Sequence, residues 1–258
     1  MQLQRLVVKA EQLQNEHVRL EPSQLHYLQR VLRLGVGDRF IAMDGEGHAW
    51  LATLKPPTDS LTQATSIQAT ILEPITASTE LAVRVTLVAA LPKGNGFDEV
   101  VRQSTELGID QLLPVMSDRT LLNPSAQKLE RWQRIANEAA EQSERLCVPH
   151  ITAPISFTAH LQQACSQTDS RLQKYLCVAR GSTPHLLDCL QASMSDASLP
   201  QLTIAIGPEG GWTDAEVAAA IDAGYQPVSL GSRILRAVTA PLVALSLVAA
   251  VWESKGKS

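Results

Sequence analysis

The sequence predicts an α/β protein in which a small β-barrel precedes a parallel-sheet domain. Up to residue 73, short apolar segments are separated by turn residues, which is typical of antiparallel strands. From residue 80 onward, apolar strands alternate with amphipathic helices, and this alternation indicates a parallel sheet. The stretch between them, EPITAST at residues 73–79, has the composition of a linker. We therefore assign residues 1–73 to the barrel and residues 80–258 to the parallel-sheet domain.

Three strands are predicted in the barrel from apolar and β-branched runs that turn residues interrupt. The tetrad Asp44–Gly47 separates the first two strands, because its aspartate and two glycines suit a tight turn. The predicted strands are Arg39–Met43, His48–Leu54 and Ile67–Leu72.

The second domain is predicted to begin with a buried strand, after which Pro92–Gly96 forms a turn. Gly108 is expected to end the first helix, since glycine readily takes the positive φ of a helix C-terminus. Thr183 and Pro184 mark the start of a later helix. In chain order, the other predicted elements are strands at 83–89, 111–115, 175–179, 202–206 and 226–230, and helices at 97–107, 129–146 and 237–251.

The segment Leu202–Glu216 has the features of a ligand site. An apolar strand runs into the glycine-rich loop GPEGG, and Thr213 then begins a helix with Glu216 three residues later, as in a capping box. The loop lacks the GxxxxGKS/T and GxGxxG spacings of phosphate and dinucleotide sites. The carboxylate of Glu209 would repel a phosphate but suit a cationic or hydroxyl-rich ligand. A tight structural turn is the alternative interpretation.

A second loop of this kind follows the next strand, where residues 231–236 read GSRILR. With these two loops in order, the sequence resembles the bacterial RsmE-type 16S rRNA (uracil-N3)-methyltransferases of the SPOUT class, in which a GPEGG loop and an LGxRxLR loop hold S-adenosylmethionine. The match extends over nearly the whole chain. It includes His26-x4-Val31-Leu32-Arg33-x3-Gly37-Asp38, Glu106-Leu107-Gly108 and Arg131-Trp132-x2-Ile135-x2-Glu138-Ala139-x-Glu141-Gln142.

The resemblance implies a PUA-like RNA-binding barrel, followed by a SPOUT domain whose C-terminal part is tied in a trefoil knot. It further implies S-adenosylmethionine as cofactor, 16S rRNA within the small ribosomal subunit as substrate, and methylation of a uridine N3 near the 3′ end. The active site is expected to be completed across a homodimer. Apolar residues of the last helix could supply the dimer contact or belong to the core of one chain; they are Leu242, Leu245, Val248, Val251 and Trp252.

The cofactor residues are likewise carried over from the resemblance, whereas the role of Arg236 in the chemistry is a hypothesis from its charge. Arg236 is expected to stabilise the uracil anion that forms when the N3 proton leaves, because fixed positive charge in a dry site favours developing negative charge. Alternatively, Arg236 holds its loop through backbone carbonyls. The general base cannot be assigned, although Glu209 is a candidate. The implied cofactor residues are Gly207, Pro208, Glu209, Gly210, Gly211, Leu230, Gly231, Arg233, Ile234, Leu235 and Arg236.

A formal net charge of −4 means that RNA binding must depend on local basic clusters. The candidates for RNA contact are Arg30 and Arg33, which lie near Arg39, together with Lys93 and Arg102. A further cluster recurs at helical spacing at residues 128, 131 and 134. Each cluster could equally be a solvated face. The weak overall charge favours a shaped partner, such as an assembled ribosomal subunit, over any available RNA strand.

Three positions depart from the family pattern. Val238 stands where the family carries a glutamate, Gln103 where it carries a lysine, and Gly96 where a basic residue is usual. Arg102 and Lys93 are neighbouring cations that could compensate. The departures keep two alternatives open: an RNA-binding assembly factor of the SPOUT fold that methylates poorly, and a SPOUT methyltransferase with another RNA target.

Composition excludes several other classes. The four cysteines are far apart and form no CxxC pair, which speaks against a zinc site or a redox motif and favours buried thiols in a reducing cytosol. No metal is expected. The N-terminus lacks the apolar core of a secretion signal, and no segment is long enough to cross a bilayer. We therefore expect a cytoplasmic protein.

Overall fold

The computed structural model describes two compact units, and each is considered by itself. The first unit combines Met1–Glu80 with Ala140–Val148, and the second combines Leu81–Ala139 with Pro149–Ser258. Within the described part of the chain, no helix is both long and apolar enough to span a membrane. The described residues are 3–14, 16–56, 68–76, 79–120, 125–165, 171–193 and 201–254.

The first unit contains a mixed six-stranded sheet with the order β1-β4-β5-β6-β3-β2. Strand β1 runs parallel to β4, and the remaining pairs are antiparallel. A short helix, α1 (Pro22–His26), leads into a π-helical turn at Tyr27–Val31. The strands are β1 (Arg5–Val7), β2 (Leu13–Gln14), β3 (His17–Arg19), β4 (Arg39–Met43), β5 (Ala49–Leu54) and β6 (Gln68–Ile75).

The prediction of β4 is confirmed and that of β5 differs by one residue, but the linker prediction is wrong at residues 73–75. Strand β6 continues to Ile75, where it pairs with β5 alone. Pro74 is tolerated there because a strand with one neighbour needs fewer backbone donors. Ile67 and residues 77–78, also part of these predictions, lie outside the described residues.

Residues 140–148 pack within the first unit, although the sequence pattern placed them with the second. Ala140 and Leu146 form one apolar cluster with Ile41, Met43 and Ala49. Helix α3 (Ala126–Gln142) ends four residues before the predicted position. Glu144 takes a φ of 61°, which a continuing helix does not allow. This turn lets Leu146 enter the cluster.

The second unit is built on a parallel sheet of seven strands in the order β10-β8-β7-β12-β11-β13, with β9 beside β8. The strands are β7 (Arg84–Ala90), β8 (Gln111–Met116), β9 (His150–Ile151), β10 (Ile155–Ser156), β11 (Leu172–Cys177), β12 (Gln201–Ile206) and β13 (Gln226–Val228). The helices besides α3 are α2 (Gly96–Glu106), α4 (Phe157–Cys165), α5 (Leu186–Ser193), α6 (Asp214–Asp222) and α7 (Thr239–Glu253). The predicted α/β class with a parallel sheet is confirmed.

The register brings three strand ends together. Cys177 at the end of β11 lies opposite both Ile206 of β12 and Val228 of β13. In open parallel sheets, ligands bind in the crevice outside the carboxyl ends of the strands. The loops that follow these three strands are therefore the natural place for a site.

Several boundaries move by a few residues. Strand β11 starts at Leu172 and stops at Cys177, and α5 starts at Leu186. Helix α7 starts at Thr239, and Pro241 fits in its first turn because an N–H at that position has no partner within the helix. Gly108 ends α2 with a φ of 88°, as predicted.

The prediction of buried thiols is wrong for one cysteine. Cys165 is exposed at the end of α4, and the other three cysteines are partly buried. A position at the end of a helix leaves a side chain in solvent unless another element covers it.

Candidate active site

A cavity of about 710 Å³ opens at the carboxyl ends of β12, β11 and β13. Most of its walls come from the ends of these strands and the loops after them, and α6, α7 and the loop after β8 add the rest. The volume is in the range of small-molecule sites. The lining residues are Arg119, Cys177, Val178, Ala179, Arg180, Thr183, Ile206, Gly207, Pro208, Gly210, Gly211, Trp212, Asp214, Val217, Pro227, Leu230, Gly231, Arg233, Leu235, Ala237 and Ala240.

The loop after β12 is compact because glycines allow close packing. The Trp212 ring lies against Gly207, where an added Cβ would stand 3.2 Å from the indole. Gly211 has a φ of 69°, and its N–H donates to the Pro208 carbonyl at 2.8 Å. The indole also stacks on Phe157 with ring centroids 4.2 Å apart. Trp212 thus anchors the loop to the core, and its buried Nε1 has no hydrogen-bond partner among the described residues.

Glu216 joins this loop to a second one. The predicted capping box is confirmed: Thr213 Oγ1 accepts from the Glu216 N–H at 3.2 Å, and a Glu216 carboxylate oxygen accepts from the Thr213 N–H at 2.7 Å. The other oxygen accepts from the Asp118 N–H at 2.9 Å. Glu216 is only 6% exposed, so its charge is stabilised by these donors. The turn after β8 is thereby attached to the start of α6.

That turn projects Arg119 over the glycine-rich loop. The Arg119 guanidinium donates a hydrogen bond to the Gly210 carbonyl. A Cβ added at Gly210 would lie 3.1 Å from Arg119 Cδ, so glycine allows the arginine stem to approach the backbone. Sequence reasoning missed Arg119, although it directly follows a parallel strand whose neighbours carry the predicted loops.

The loop after β13 is held against the turn that precedes α5. Ser229 N–H donates to the Pro184 carbonyl, and Leu186 N–H donates to the Ser229 carbonyl, both at 2.9 Å. The Ser229 hydroxyl accepts from the Gly231 N–H at 3.0 Å. Gly231 has a φ of 114°, a conformation that favours glycine. This arrangement turns Leu230, Gly231, Arg233 and Leu235 toward the cavity.

The structure brings most of the predicted cofactor residues into this one cavity, but three do not line it. The Glu209 carboxylate accepts the N–H of Lys93 at 3.1 Å. Ile234 is 67% exposed. The Arg236 side chain is exposed, while its carbonyl accepts from the N–H groups of Thr239 and Ala240 at 2.9 Å. The residues that do line it are Gly207, Pro208, Gly210, Gly211, Leu230, Gly231, Arg233 and Leu235.

The residues predicted to contact RNA have different surroundings. Arg30 and Arg33 are exposed in the first unit, and Arg33 has a φ of 59°. Lys93 is exposed in the second unit. Arg102 instead pairs with Glu99 on its own helix at 2.6 Å. Its charge is therefore already partly neutralised.

The loop after β11 was also missed by sequence reasoning. Val178, Ala179, Arg180 and Thr183 line the cavity, and the buried Thr183 Oγ1 has no hydrogen-bond partner among the described residues. Desolvation raises the pKa of the Cys177 thiol to about 12, so it stays protonated at neutral pH and is a poor nucleophile. The sequence did contain a signal for this loop, since it is polar, contains glycine and follows a parallel strand. The ends of adjacent parallel strands lie at the same edge of the sheet, so such a loop is expected beside the two predicted ones.

Two of the departures from the family pattern lie at one contact. A Cβ added at Gly96 would stand 2.9 Å from Val238 Cγ1. Valine just before α7 therefore fills the space that a side chain at the start of α2 would occupy. Nothing in the structure explains Gln103.

Comparisons with known proteins agree with this architecture. A family model described as an RNA methyltransferase domain matches residues 79–249, and one described as an RNA methyltransferase PUA domain matches residues 20–61. The chain is 49% identical to ribosomal RNA small subunit methyltransferase E of Synechocystis, over 97% of this chain and 78% of that protein. It is 30% identical to the Bacillus subtilis protein of the same name, over 88% and 87%.

Solved structures show the same fold. A ribosomal RNA small subunit methyltransferase E from Neisseria gonorrhoeae, bound to S-adenosylmethionine, is 29% identical with a TM-score of 0.81, covering 97% of this chain and 98% of that one. A putative methyltransferase from Legionella pneumophila shares the fold with a TM-score of 0.81 at 23% identity, over 97% and 98%. This chain belongs to the RsmE family of RNA methyltransferases and has the fold of the SPOUT class.

Proposed function

We propose that this chain uses S-adenosylmethionine to methylate ribosomal RNA of the small subunit, and that the target is N3 of a uridine near the 3′ end of 16S rRNA. The observation that carries this proposal is the meeting of both predicted cofactor loops in one cavity of a chain from this family. The relatives named for small-subunit rRNA methylation support the substrate.

The lining of the cavity supports this choice of cofactor. Buried Trp212 Nε1 and Thr183 Oγ1 are two polar atoms that a ligand could engage, because neither has a partner among the described residues. Gly207 and Gly231 leave backbone groups accessible to the edge of an adenine or a ribose. Ile206 and Leu235 provide apolar surface. When bound, the cofactor supplies an electrophilic methyl group on a sulfonium.

The loops contribute to catalysis mainly by positioning the cofactor and the target base. Holding donor methyl and acceptor nitrogen in line accounts for much of the rate of such a transfer. We assign Arg236 to the uracil anion that forms when the N3 proton departs. Its guanidinium is exposed beside Leu235 and Ala237, which both line the cavity. Because Cys177 stays protonated, we propose direct transfer without a thiol intermediate.

The uridine must be unpaired or flipped out, since pairing engages its N3. RNA-reading proteins usually recognise exposed single-stranded bases, because side chains cannot enter the A-form major groove. A chain with a net charge of −4 gains little from general attraction to RNA. We therefore propose the assembled small subunit as the substrate. The homodimer that the family resemblance implies is proposed as the working form.

The test uses purified protein, labelled S-adenosylmethionine and unmethylated small subunits, with naked 16S rRNA in parallel, followed by mass mapping of nucleosides. A single 3-methyluridine near the 3′ end, formed mainly on subunits, is expected. A methylated base elsewhere would indicate a different RNA target. Cofactor binding without any labelled RNA would favour the assembly-factor alternative.

Arg236→Ala tests the assigned role of the arginine. Loss of one preorganised charge is expected to lower kcat by about 10²- to 10³-fold. The affinity for S-adenosylmethionine, measured by calorimetry, should change little. Arg84→Ala is the control, because Arg84 is exposed at the amino end of β7, away from the cavity lining. Full turnover with weakened cofactor binding in Arg236→Ala would contradict the assignment.

A further inference from the structure

Three arginines line the cavity, each in the loop that follows a different strand. Arg119 follows β8, Arg180 follows β11 and Arg233 follows β13. All three residues are exposed. Since all three line the same cavity, they place three positive charges around it.

Among the residues that the structure describes, no ion pair neutralises these charges. Within the described ranges, Arg119, Arg180 and Arg233 have no carboxylate within salt-bridge distance, and the guanidinium of Arg119 donates to the Gly210 carbonyl. The basic cluster on α3 behaves differently: Arg131 pairs with Asp98 at 2.8 Å, and Arg134 lies 4.0 Å from Glu138. The structure thus separates free cations from paired ones, which sequence spacing could not do.

The local charge also differs in sign from that of the chain. Asp214 is the acidic residue in the cavity lining, and the Cys177 thiol stays neutral, so the three arginines leave an excess of positive charge. The chain as a whole carries −4. An excess of unpaired arginine on an acidic protein suits a polyanion, because guanidinium groups bind phosphate oxygens in a planar fork.

We propose that Arg119, Arg180 and Arg233 form a basic collar that binds the RNA backbone phosphates on either side of the target nucleotide. This inference rests on the proposed function, since it places the RNA around the cavity that holds the cofactor. The collar holds the phosphates while the base enters between them. Contacts of this kind position the RNA and carry no sequence information.

The test measures how RNA affinity depends on salt. Binding of a fluorescently labelled single-stranded RNA containing uridine is followed by anisotropy between about 50 and about 200 mM salt. Each lost phosphate contact on a single strand should make the slope of log Kd against log salt shallower by about 0.7. We expect this for Arg119→Gln and for Arg180→Gln, and a sum of both changes in the double variant.

Arg84→Gln is the matched control. It removes the same charge from an exposed arginine of the same sheet, at the amino end of β7. Its slope should equal that of the wild type. Equal slopes for the collar variants and the wild type would overturn the proposal, and so would a wild type whose RNA binding does not depend on salt.

The carboxylate of the cofactor is another anion that these arginines could bind. Calorimetry with S-adenosylmethionine separates the two: if Arg180→Gln weakens cofactor binding and leaves the salt slope unchanged, the collar proposal is wrong. The outcome is also distinct from that of the proposed function. If the variants show the expected slope changes but the wild-type protein methylates no RNA, the collar proposal stands and the proposed methylation is rejected.

Discussion

Gly96 and Val238 illustrate at the residue scale how two unusual residues can form one feature. The family resemblance marks each as a departure from the expected residue, and the two positions lie far apart in the sequence. In the structure, the Val238 methyl occupies the space that a side chain at position 96 would need. The two departures are therefore sterically coupled.

Gly96→Ala is expected to destabilise the protein by about 1–3 kcal/mol, because the new Cβ would stand 2.9 Å from a stiff β-branched side chain. Urea unfolding measures this cost. The same change in a Val238→Ala background should cost much less, since the clash is removed. An equal cost in both backgrounds would show that the contact with Val238 does not limit position 96.

His160 is a buried base that does not take part in the candidate site. Its Nε2 lies 2.7 Å from the Tyr225 hydroxyl, and the residue is 6% exposed. Burial, together with the charge of Lys174, lowers the pKa of His160 from 6.5 to about 4. In the window between these values, the unfolded chain binds a proton that the folded chain excludes. Stability should therefore fall as the pH falls through this window.

We expect the free energy of unfolding to drop by about 2 kcal/mol between about pH 7 and about pH 5 through His160 alone. His160→Gln keeps an amide that can bond the Tyr225 hydroxyl but does not titrate. Urea unfolding at both pH values should therefore show a smaller drop for the variant. Identical drops would mean that other groups account for the acid sensitivity.

Several motif residues also have structural roles. Arg131 Nε and Trp132 Nε1 donate to the two oxygens of Asp98 at 2.8 and 3.1 Å. A Cβ at Gly108 would stand 2.8 Å from Leu81. Family motifs therefore report on packing as well as on the site.

At the scale of elements, the site depends on how loops are joined. Strand β12 and helix α6 were predicted from local pattern, and the capping box was predicted correctly. The attachment of the β8 turn to Glu216 links residues 98 positions apart. No local pattern predicts such a contact, because it depends on strand order.

Glu216→Gln tests this attachment. The amide of the variant retains one oxygen for the three donors, and its NH₂ group would face a backbone N–H. We therefore expect the free energy of unfolding to fall by about 1–3 kcal/mol. Weaker binding of S-adenosylmethionine should follow, because two loops of the cavity lose their anchor. Asp222→Asn, at the exposed end of the same helix, is the control. Wild-type stability in Glu216→Gln would contradict the role of the carboxylate as an anchor.

At the scale of the whole molecule, the first unit is completed by a distant part of the chain. Glu80 accepts from the Arg145 guanidinium at 2.6 and 3.0 Å and from the N–H groups of Leu146 and Cys147. The Arg145 side chain is 3% exposed. A buried cation of this kind requires its partner.

Glu80→Ala should destabilise the first unit by about 3–5 kcal/mol, because it removes the carboxylate that pairs with the buried Arg145 charge. Hydrogen exchange followed by mass spectrometry should show faster exchange in β4 and β5, with little change in β12. Glu73→Ala, at an exposed position of β6, should have almost no effect. Unchanged exchange in Glu80→Ala would exclude this network as the main support of residues 140–148.

The homodimer stays a prediction, and the structure refines which residues of α7 could form it. Leu245, Val248, Val251 and Trp252 are buried within this chain, whereas Leu242 is only partly buried. Light scattering should give twice the mass of one chain. Leu242→Asp should lower that mass toward the monomer, and Ser246→Asp is the control on an exposed position of the same helix. A wild-type monomer would reject the dimer. The trefoil knot likewise stays a prediction.

The sequence alone determined the fold class, most of the elements and the two glycine-rich loops, because local periodicity, capping residues and glycine positions act over a few neighbouring residues. The tertiary structure decided what these patterns could not. It placed residues 140–148 in the first unit, extended β6 into the first three residues of the expected linker and added Arg119, Arg180 and Trp212 to the cavity. Each of these results depends on strand order and long-range packing, which bring together residues that no local pattern relates.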